Sequence, residues 1–357
     1  MARFNSGGTA NWLSLLVQEL RDLDHEVNLY CGHVQRGEIE DSNFEGLCGI
    51  RIQNLSRSPS IVKDLRAFFE IRKMLIIESP DVLATHTAKA GVLGRLAALT
   101  IRDRKFLIVH TFHGHLLYGY YSKIIVFFIK QIEIFLAKHT DVIITSGKKV
   151  KHELLDSGIG NFEKMMEINP AVREIIAMDK KKIRKKYGID PNKIVVGWLG
   201  RLVPIKRPDR IVNLAKIFPD IIFLIGGEGI LRKDCENKAP ENCKFIGWVA
   251  PNEIWSASDV AILTSENEAI PLALVEAAWS SLPLIGEDVG SVSEIVISGY
   301  TGILTKSDLQ RINAVKELST NPKLRTQFGS ASHKIAHEEF SEYKFISNHL
   351  IAYGIKN

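Results

Sequence analysis

The sequence predicts a doubly wound α/β protein in which one plan occurs twice, as two Rossmann-like parallel-sheet domains facing across a cleft. Three observations predict it. Short β-branched runs alternate with amphipathic stretches nearly from end to end. The runs are apolar without alternation, as at Phe106–Val109 and Val142–Ile144, which suits parallel strands buried on both faces. The chain has 357 residues, enough for two domains at about 150 each.

In the first half, strands are expected at Glu26–Gly32, Ile50–Leu55, Asp81–Thr85, Lys105–Phe112, Asp141–Ser146 and Met165–Pro170. Helices between them include Thr9–Leu23, Ile61–Ile77 and Ala88–Ile101. A second series follows at Ile194–Leu199, Ile221–Gly226, Lys244–Gly247, Asp259–Thr264, Leu282–Ile285 and Gly302–Leu304. The expected domains are residues 1–178 and 190–332. A last helix from His333 to about Tyr353 would be long enough to pack back on the first domain. The join carries a basic run, Lys180–Lys186, read first as a solvated helix face and second as a phosphate or headgroup patch. A domain of this type should open with a central strand, yet only Met1–Asn5 stands before the Gly7-Gly8 turn. Either that strand is a stub or the start lies upstream, and neighbouring ladder groups would go unpaired.

Composition narrows the function. The chain is 45% hydrophobic and 24% charged, which excludes disordered and fibrous classes. Cys31, Cys48, Cys235 and Cys243 form no CxxC pair, so neither a disulfide framework nor a thiolate zinc site is expected, and a cytoplasmic setting is the default. No apolar run reaches the ~18 residues that span a bilayer, and no leader pattern opens the chain. The net charge of +5 suits an anionic ligand or an acidic membrane surface equally. GxGxxG at a strand–helix turn, GxxxxGK[ST], HExxH and GxSxG are missing, and no DxD-type acidic pair is positioned like a metal–diphosphate bridge. No cofactor, metal or nucleic-acid partner is expected.

The strongest constellation is Ser265–Ala277, between a buried strand and an apolar helix. Glu268 lies in the loop at the C-terminal sheet edge, Pro271 and Leu272 open the helix, and Glu276 follows eight residues after Glu268. Free amides of a helix's first turn attract an anion, and carboxylates accept bonds from hydroxyls, so the pattern suits a ligand carrying phosphate and sugar. A helix-end acid and a surface acid explain the two glutamates equally well when taken alone. The second constellation is Gly200–Pro208, where Arg201 and Lys206 offer a guanidinium fork and an ammonium to a diphosphate. The third, Gly7-Gly8, allows close backbone approach to phosphate but is equally a plain turn. The fourth is a histidine-rich edge: His86 and Lys89 after one strand, then His110, His113 and His115. Their spacing does not favour a metal. They suit a cleft lining of hydrogen-bond donors, with a satisfied core histidine the main competitor at His110 and a reasonable one at His86.

At this point the residues resemble the retaining GT-B glycosyltransferases of family 4, over nearly the whole chain. The likeness runs through Asn5–Gly8, Thr85–Arg95, His110–His115, Gly200–Asp209, Gly226–Gly229, Phe245–Trp248, Glu268 with Glu276, and Asp288–Glu294. It implies that Arg201 and Lys206 bind the donor diphosphate, with Gly8 closing on it. Glu276 would hold the ribose, Glu268 the transferred sugar, and the backbone at Trp248 and Val249 the base. His113 would sit beside the reacting carbon, and His86, Lys89 and His115 on the acceptor side. The implied reaction moves a hexosyl group from a UDP- or GDP-linked sugar to a sugar or lipid-linked acceptor hydroxyl, with retention and no obligatory metal. Polysaccharide or lipid-linked oligosaccharide assembly is the implied setting.

Two positions depart from the family pattern: Ala269 and Ala171 stand where glycine is usual, and an alanine forced to positive φ would cost about 1 kcal/mol or more. These departures and the short start leave two alternatives, a nucleotide-sugar 2-epimerase and a sugar-nucleotide-binding protein with impaired catalysis. Finally, residues 118–138 form an aromatic, apolar stretch with Lys123, Lys130 and Lys138. It reads first as a core helix and second as an interfacial helix that docks peripherally on the inner membrane face.

Overall fold

The computed structural model describes residues 1–5, 7–35, 38, 40–114 and 122–355. The chain divides into two compact units: unit 1 is Met1–Pro170 plus the chain from Phe345 onward, and unit 2 is Ala171–Lys344.

Unit 1 opens with helix α1 (Gly8–Asp22), strand β1 (Tyr30–His33), short helix α2 (Asn43–Gly46), β2 (Ile50–Ser56) and α3 (Ile61–Glu78). It continues through β3 (Val82–His86), α4 (Ala88–Leu99), β4 (Leu107–Phe112), α5 (Lys123–Lys138), β5 (Val142–Thr145), α6 (Lys148–Asp156) and β6 (Met165–Glu167). All its strand pairs are parallel, but they form two sheets: β1 with β2, and β3-β4-β5-β6. Residues 1–5 do not form a regular strand between them; Asn5 makes a single bridge to Glu40. Between β1 and β3 lies a cavity of about 890 Å³.

Unit 2 runs α7 (Lys180–Lys186), β7 (Val195–Leu199), α8 (Pro208–Ile217), β8 (Ile222–Gly226), α9 (Arg232–Lys238), β9 (Cys243–Gly247), α10 (Pro251–Ala257) and β10 (Val260–Ile262). Then come α11 (Leu272–Trp279), β11 (Leu284–Glu287), β12 (Gly302–Thr305), α12 (Asp308–Thr320) and α13 (Pro322–Glu339). Its six strands form one parallel sheet in the order β12-β11-β10-β7-β8-β9. Neighbouring residues of each strand enter different cores. Val195, Leu224, Ala261 and Leu284 pack with α10 and α11, whereas Val196, Phe223, Val260 and Ile285 pack with α8 and α12. Both sheet faces are therefore covered, which is why the strands read as unbroken apolar runs.

The expected last helix is two helices, α13 and α14 (Glu342–Ala352). Phe340 is fully buried in the unit 2 core and its carbonyl accepts from Val172 N, which fixes the break; Ser341 then sits ahead of α14. The basic run is only partly solvated. Arg184 is buried, donating to the carbonyls of Ala257, Pro191 and Lys193 and to Asp259, while Lys180 and Lys186 pair with Asp259 and Glu253.

In unit 1, Arg95 on α4 and Glu133 on α5 form a buried ion pair at 2.7 Å, and Arg95 Nε also donates to the Gly91 carbonyl at 2.9 Å. Removing one partner of such a pair strands the other charge, at about 3–5 kcal/mol, while replacing both by apolar groups is far cheaper. Glu133→Leu should therefore lower the melting temperature more than the double variant Arg95→Met, Glu133→Leu. Equal losses in thermal unfolding would contradict that account.

Candidate active site

The sheet order of unit 2 sets the site. The chain leaves β7, moves outward through β8 and β9, then crosses back to add β10 on the other side of β7. Open α/β sheets bind ligands at such a reversal, outside the C-terminal strand ends, because the loops there diverge to opposite faces and leave a crevice. The loops after β7 and β10 carry the Arg201/Lys206 and Glu268 segments.

Backbone bonds lace these loops together. Glu266 N donates to the Ile205 carbonyl at 2.9 Å, and Gly200 N to the Gly226 carbonyl at 3.1 Å. Thr264 Oγ1 accepts from the Trp198 indole at 3.0 Å and bonds the Lys206 carbonyl at 3.0 Å. The loop after β11 clamps Glu268 from a third side: Ser291 N donates to its carbonyl at 3.2 Å. Gly290 has φ +51°, and a Cβ there would stand 1.6 Å from the Glu268 oxygen, so only glycine fits.

On this frame Lys206 Nζ and Glu268 Oε1 form a direct ion pair, with side chains only 24% and 10% exposed. Arg201, on the same loop as Lys206, is exposed and makes no ion pair among the described residues. Arg207, beside it in sequence, is neutralised by Asp209 and Glu266, which raise its pKa, so it is not the available cation. Pro271 caps α11, and Leu272 is its first residue. Burial pushes the Glu276 carboxyl on α11 up to about 7, with the neighbouring Trp255 indole working in the opposite direction. Trp248 and Val249 follow β9 at the same sheet edge, with Trp248 69% exposed. The structure thus joins Lys206 to Glu268 directly and sets Arg201 and Glu276 on the two segments that carry them. Neither Ala269 nor Ala171 has a positive φ, so the strain expected from missing glycines is absent at both. Ser265, which opens the Ser265–Ala277 constellation but was given no role, has its hydroxyl fully buried three residues past β10 with no hydrogen-bond partner among the described residues.

In unit 1, Gly7 (φ +148°) caps α1 and Gly8 begins it. His86 ends β3 and His113 follows β4; His86 Nδ1 and His113 Nε2 lie 3.0 Å apart. Burial, reinforced by the neighbouring imidazoles, holds both below the usual histidine range, His113 at about 3, so both are neutral at physiological pH. Trp12 of α1 meets His113 edge-on at 4.9 Å, and Phe345 and His349 of α14 back the indole at 4.9 and 5.5 Å. No local pattern around Trp12 or His113 marks this packing. His110 is a satisfied core residue: its Nδ1 bonds Thr85 Oγ1 and the Thr85 carbonyl, and Gly91 leaves room for its ring. Lys89 is not a free acceptor-side cation, because it pairs with Asp64 and donates to the Ser58 carbonyl at 2.5 Å. His115 lies outside the described residues. Among the described residues no group of three His, Cys, Asp or Glu side chains gathers as a metal site.

Comparison with known proteins accords with this geometry. Residues 6–173 match the model of Glycosyltransferase Family 4, and residues 179–335 match Glycosyl transferases group 1. The chain is 29% identical to an Escherichia coli UDP-Gal:alpha-D-GlcNAc-diphosphoundecaprenol alpha-1,3-galactosyltransferase, covering 89% of this chain and 87% of that protein. It is 23% identical to the Staphylococcus aureus capsular polysaccharide biosynthesis glycosyltransferase CapM, over 80% of each. The fold matches that of Anabaena HepE, solved in complex with UDP, with a TM-score of 0.83 at 18% identity over 98% of this chain and 96% of that one. The protein is an α/β enzyme of the glycosyltransferase class with two Rossmann-like units. It belongs to the group 1 glycosyltransferases of GT-B fold, and the epimerase reading finds no support among these relatives.

A raised carboxyl pKa has a defined thermodynamic sign. Between about 4.5 and 7 the folded protein keeps a proton on Glu276 that the unfolded chain releases, so stability falls as pH climbs through that window. Glu276→Gln should match the wild-type melting temperature near pH 4.5 and exceed it at pH 8. A melting-temperature difference independent of pH would contradict the assignment.

Proposed function

We propose that this protein transfers a hexosyl group from a nucleoside diphosphate sugar, UDP- or GDP-linked, to a hydroxyl of a sugar or lipid-linked acceptor, with retained anomeric configuration and no metal or other cofactor. The observation that carries the proposal is the Lys206–Glu268 pair at the chain reversal, with the unpaired Arg201 on the same loop. A diphosphate brings the anion that draws Lys206 and Arg201 together. The sugar brings hydroxyls for the carboxylate that Lys206 then releases. As the bond from the anomeric carbon to the β-phosphate oxygen breaks, negative charge grows on the leaving diphosphate. Two cations aimed there stabilise the transition state more than the bound donor. The acceptor oxygen bonds to the same face that the diphosphate leaves, and its proton passes to the diphosphate. Glu276 is assigned to the ribose, Trp248 and Val249 to the base. His113, neutral and buttressed by Trp12, is assigned to hydrogen bonding at the transferred sugar, with His86 behind it. The galactosyl- and polysaccharide-assembling relatives support a role in building a surface polysaccharide or lipid-linked oligosaccharide.

Arg201→Ala or Lys206→Ala should each lower kcat/KM by roughly 10²–10³ against a panel of UDP- and GDP-sugars. A double variant that turns over normally removes the basis of the proposal. Sugar rearrangement by NMR with donor alone would point instead to an epimerase, and an inverted product would contradict retention.

Peripheral membrane contact forms part of the same proposal. No helix among the described residues is long and apolar enough to cross a membrane. The core reading accounts for only one side of α5, where Glu133, Leu136 and Ala137 are buried. Ile124, Phe127, Phe128 and Phe135 are half or more exposed, and Lys123 and Lys138 flank them. Lysines near an anionic surface contribute about 1 kcal/mol each. The protein should float with anionic liposomes at low salt, and Phe127→Ser, Phe128→Ser should abolish this; a wild-type protein left unbound would count against docking.

A further inference from the structure

In unit 2 a continuous run of charged side chains connects α12 to α8 through the loops of the candidate site. Arg311 of α12 donates to Glu287 and to Asp308, each at 2.5 Å. Glu287, the last residue of β11, lies 3.8 Å from Arg210 of α8. Arg210 in turn lies 3.8 Å from Glu266, which pairs with Arg207, and Arg207 also holds Asp209. Glu287 and Arg311 are buried, and the Arg210 side chain is only 20% exposed. Buried charges of this kind persist only where each has an opposite partner.

Arg210 is the member that reaches the loop backbones. Its Nη1 donates to the Thr264 carbonyl at 2.9 Å, where the chain leaves β10 on its way to Glu268. Thr264 is fully buried, a place where a carbonyl deprived of its donor carries the full desolvation cost. The hydroxyl of the same threonine bonds the Lys206 and Arg207 carbonyls at 3.0 and 3.1 Å. One guanidinium and one threonine thereby tie the start of the Glu268 loop to the end of the Lys206 loop. The task needs a fork. The guanidinium bonds a carbonyl while facing carboxylates from two neighbouring strand ends, Glu266 after β10 and Glu287 on β11. A lysine offers a single point charge and cannot do all three. Arg207 is committed to Asp209 and Glu266.

We infer that Arg210 is a positioning residue for the candidate site, setting the spacing of Lys206 and Glu268 through the Thr264 carbonyl, with Glu287 and Arg311 holding the guanidinium in place. It acts through those two side chains and not on the substrate. The ligand-binding part of the inference rests on the proposed function; the structural part rests on the geometry of unit 2 alone.

The test uses Arg210→Met in the full chain, with Arg210→Lys carrying the same comparisons should the first variant fail to fold. The Glu266 amide, which donates to the Ile205 carbonyl, reports the loop directly. Its hydrogen exchange should be about tenfold faster in Arg210→Met, the effect of one lost hydrogen bond on local opening. Glu287→Gln should shift it in the same direction by less. By calorimetry with UDP and with GDP, Arg210→Met should weaken nucleoside diphosphate binding roughly tenfold. In a Lys206→Ala background the same substitution should cost less than about twofold, because the group it positions is gone. A purely structural role predicts equal losses in both backgrounds, and that result would overturn the inference. Unchanged Glu266 exchange in Arg210→Met would overturn it too. A wild-type protein that binds neither nucleotide counts against the proposed function, and the exchange result then decides the inference by itself.

Discussion

The reversal of the chain between β7 and β10 is the constraint from which the candidate site follows. Because β8 and β9 build to one side of β7 and β10 to β12 to the other, two loops emerge side by side with nothing of the sheet between them. Polar side chains on those loops would repel or solvate separately if left unsupported. Instead the Glu266–Ile205 bond, the Thr264 hydroxyl and the Gly290–Ser291 clamp fix the loop backbones, and Lys206 and Glu268 neutralise each other. Their pairing keeps a carboxylate and an ammonium poised in a partly buried place, where either alone would be costly. Under the proposed function, a ligand with one anionic and one hydroxylated end replaces the pair by separating it.

Unit 1 solves a different problem, holding two histidines at strand ends without letting them charge. Burial does this, and the means is aromatic: Trp12 against His113, with Phe345 and His349 behind the indole. A neutral imidazole offers one donor and one acceptor, so each ring can hydrogen-bond a neighbour without carrying charge. That the buttress comes from α14, at the far end of the chain, gives the return of the chain to unit 1 a purpose beyond packing.

Local patterning reveals most of the architecture here, and long-range contact reveals the rest. Parallel strands such as β4 and β7 are legible because burial on both faces leaves an unbroken apolar run. The Gly200–Lys206 loop is legible because Arg201 and Lys206 put two cations after one strand-end glycine, a combination whose chemistry suits an anion. The ion pair between Lys206 and Glu268, 62 residues apart, leaves no local trace. Nor does the ion pair that consumes Lys89, since a lysine reads alike whether free or paired. The break between α13 and α14 did leave a signal, Ser341 followed by Glu342, but helical periodicity on both sides hides it until Phe340 is seen buried.

The most direct test of the donor site is a crystal structure with a non-hydrolysable nucleoside diphosphate sugar bound. The account predicts diphosphate density within hydrogen-bond reach of both the Arg201 guanidinium and Lys206 Nζ, with Glu268 turned from Lys206 to the sugar. Diphosphate bound elsewhere, with the Lys206–Glu268 pair intact, would contradict it.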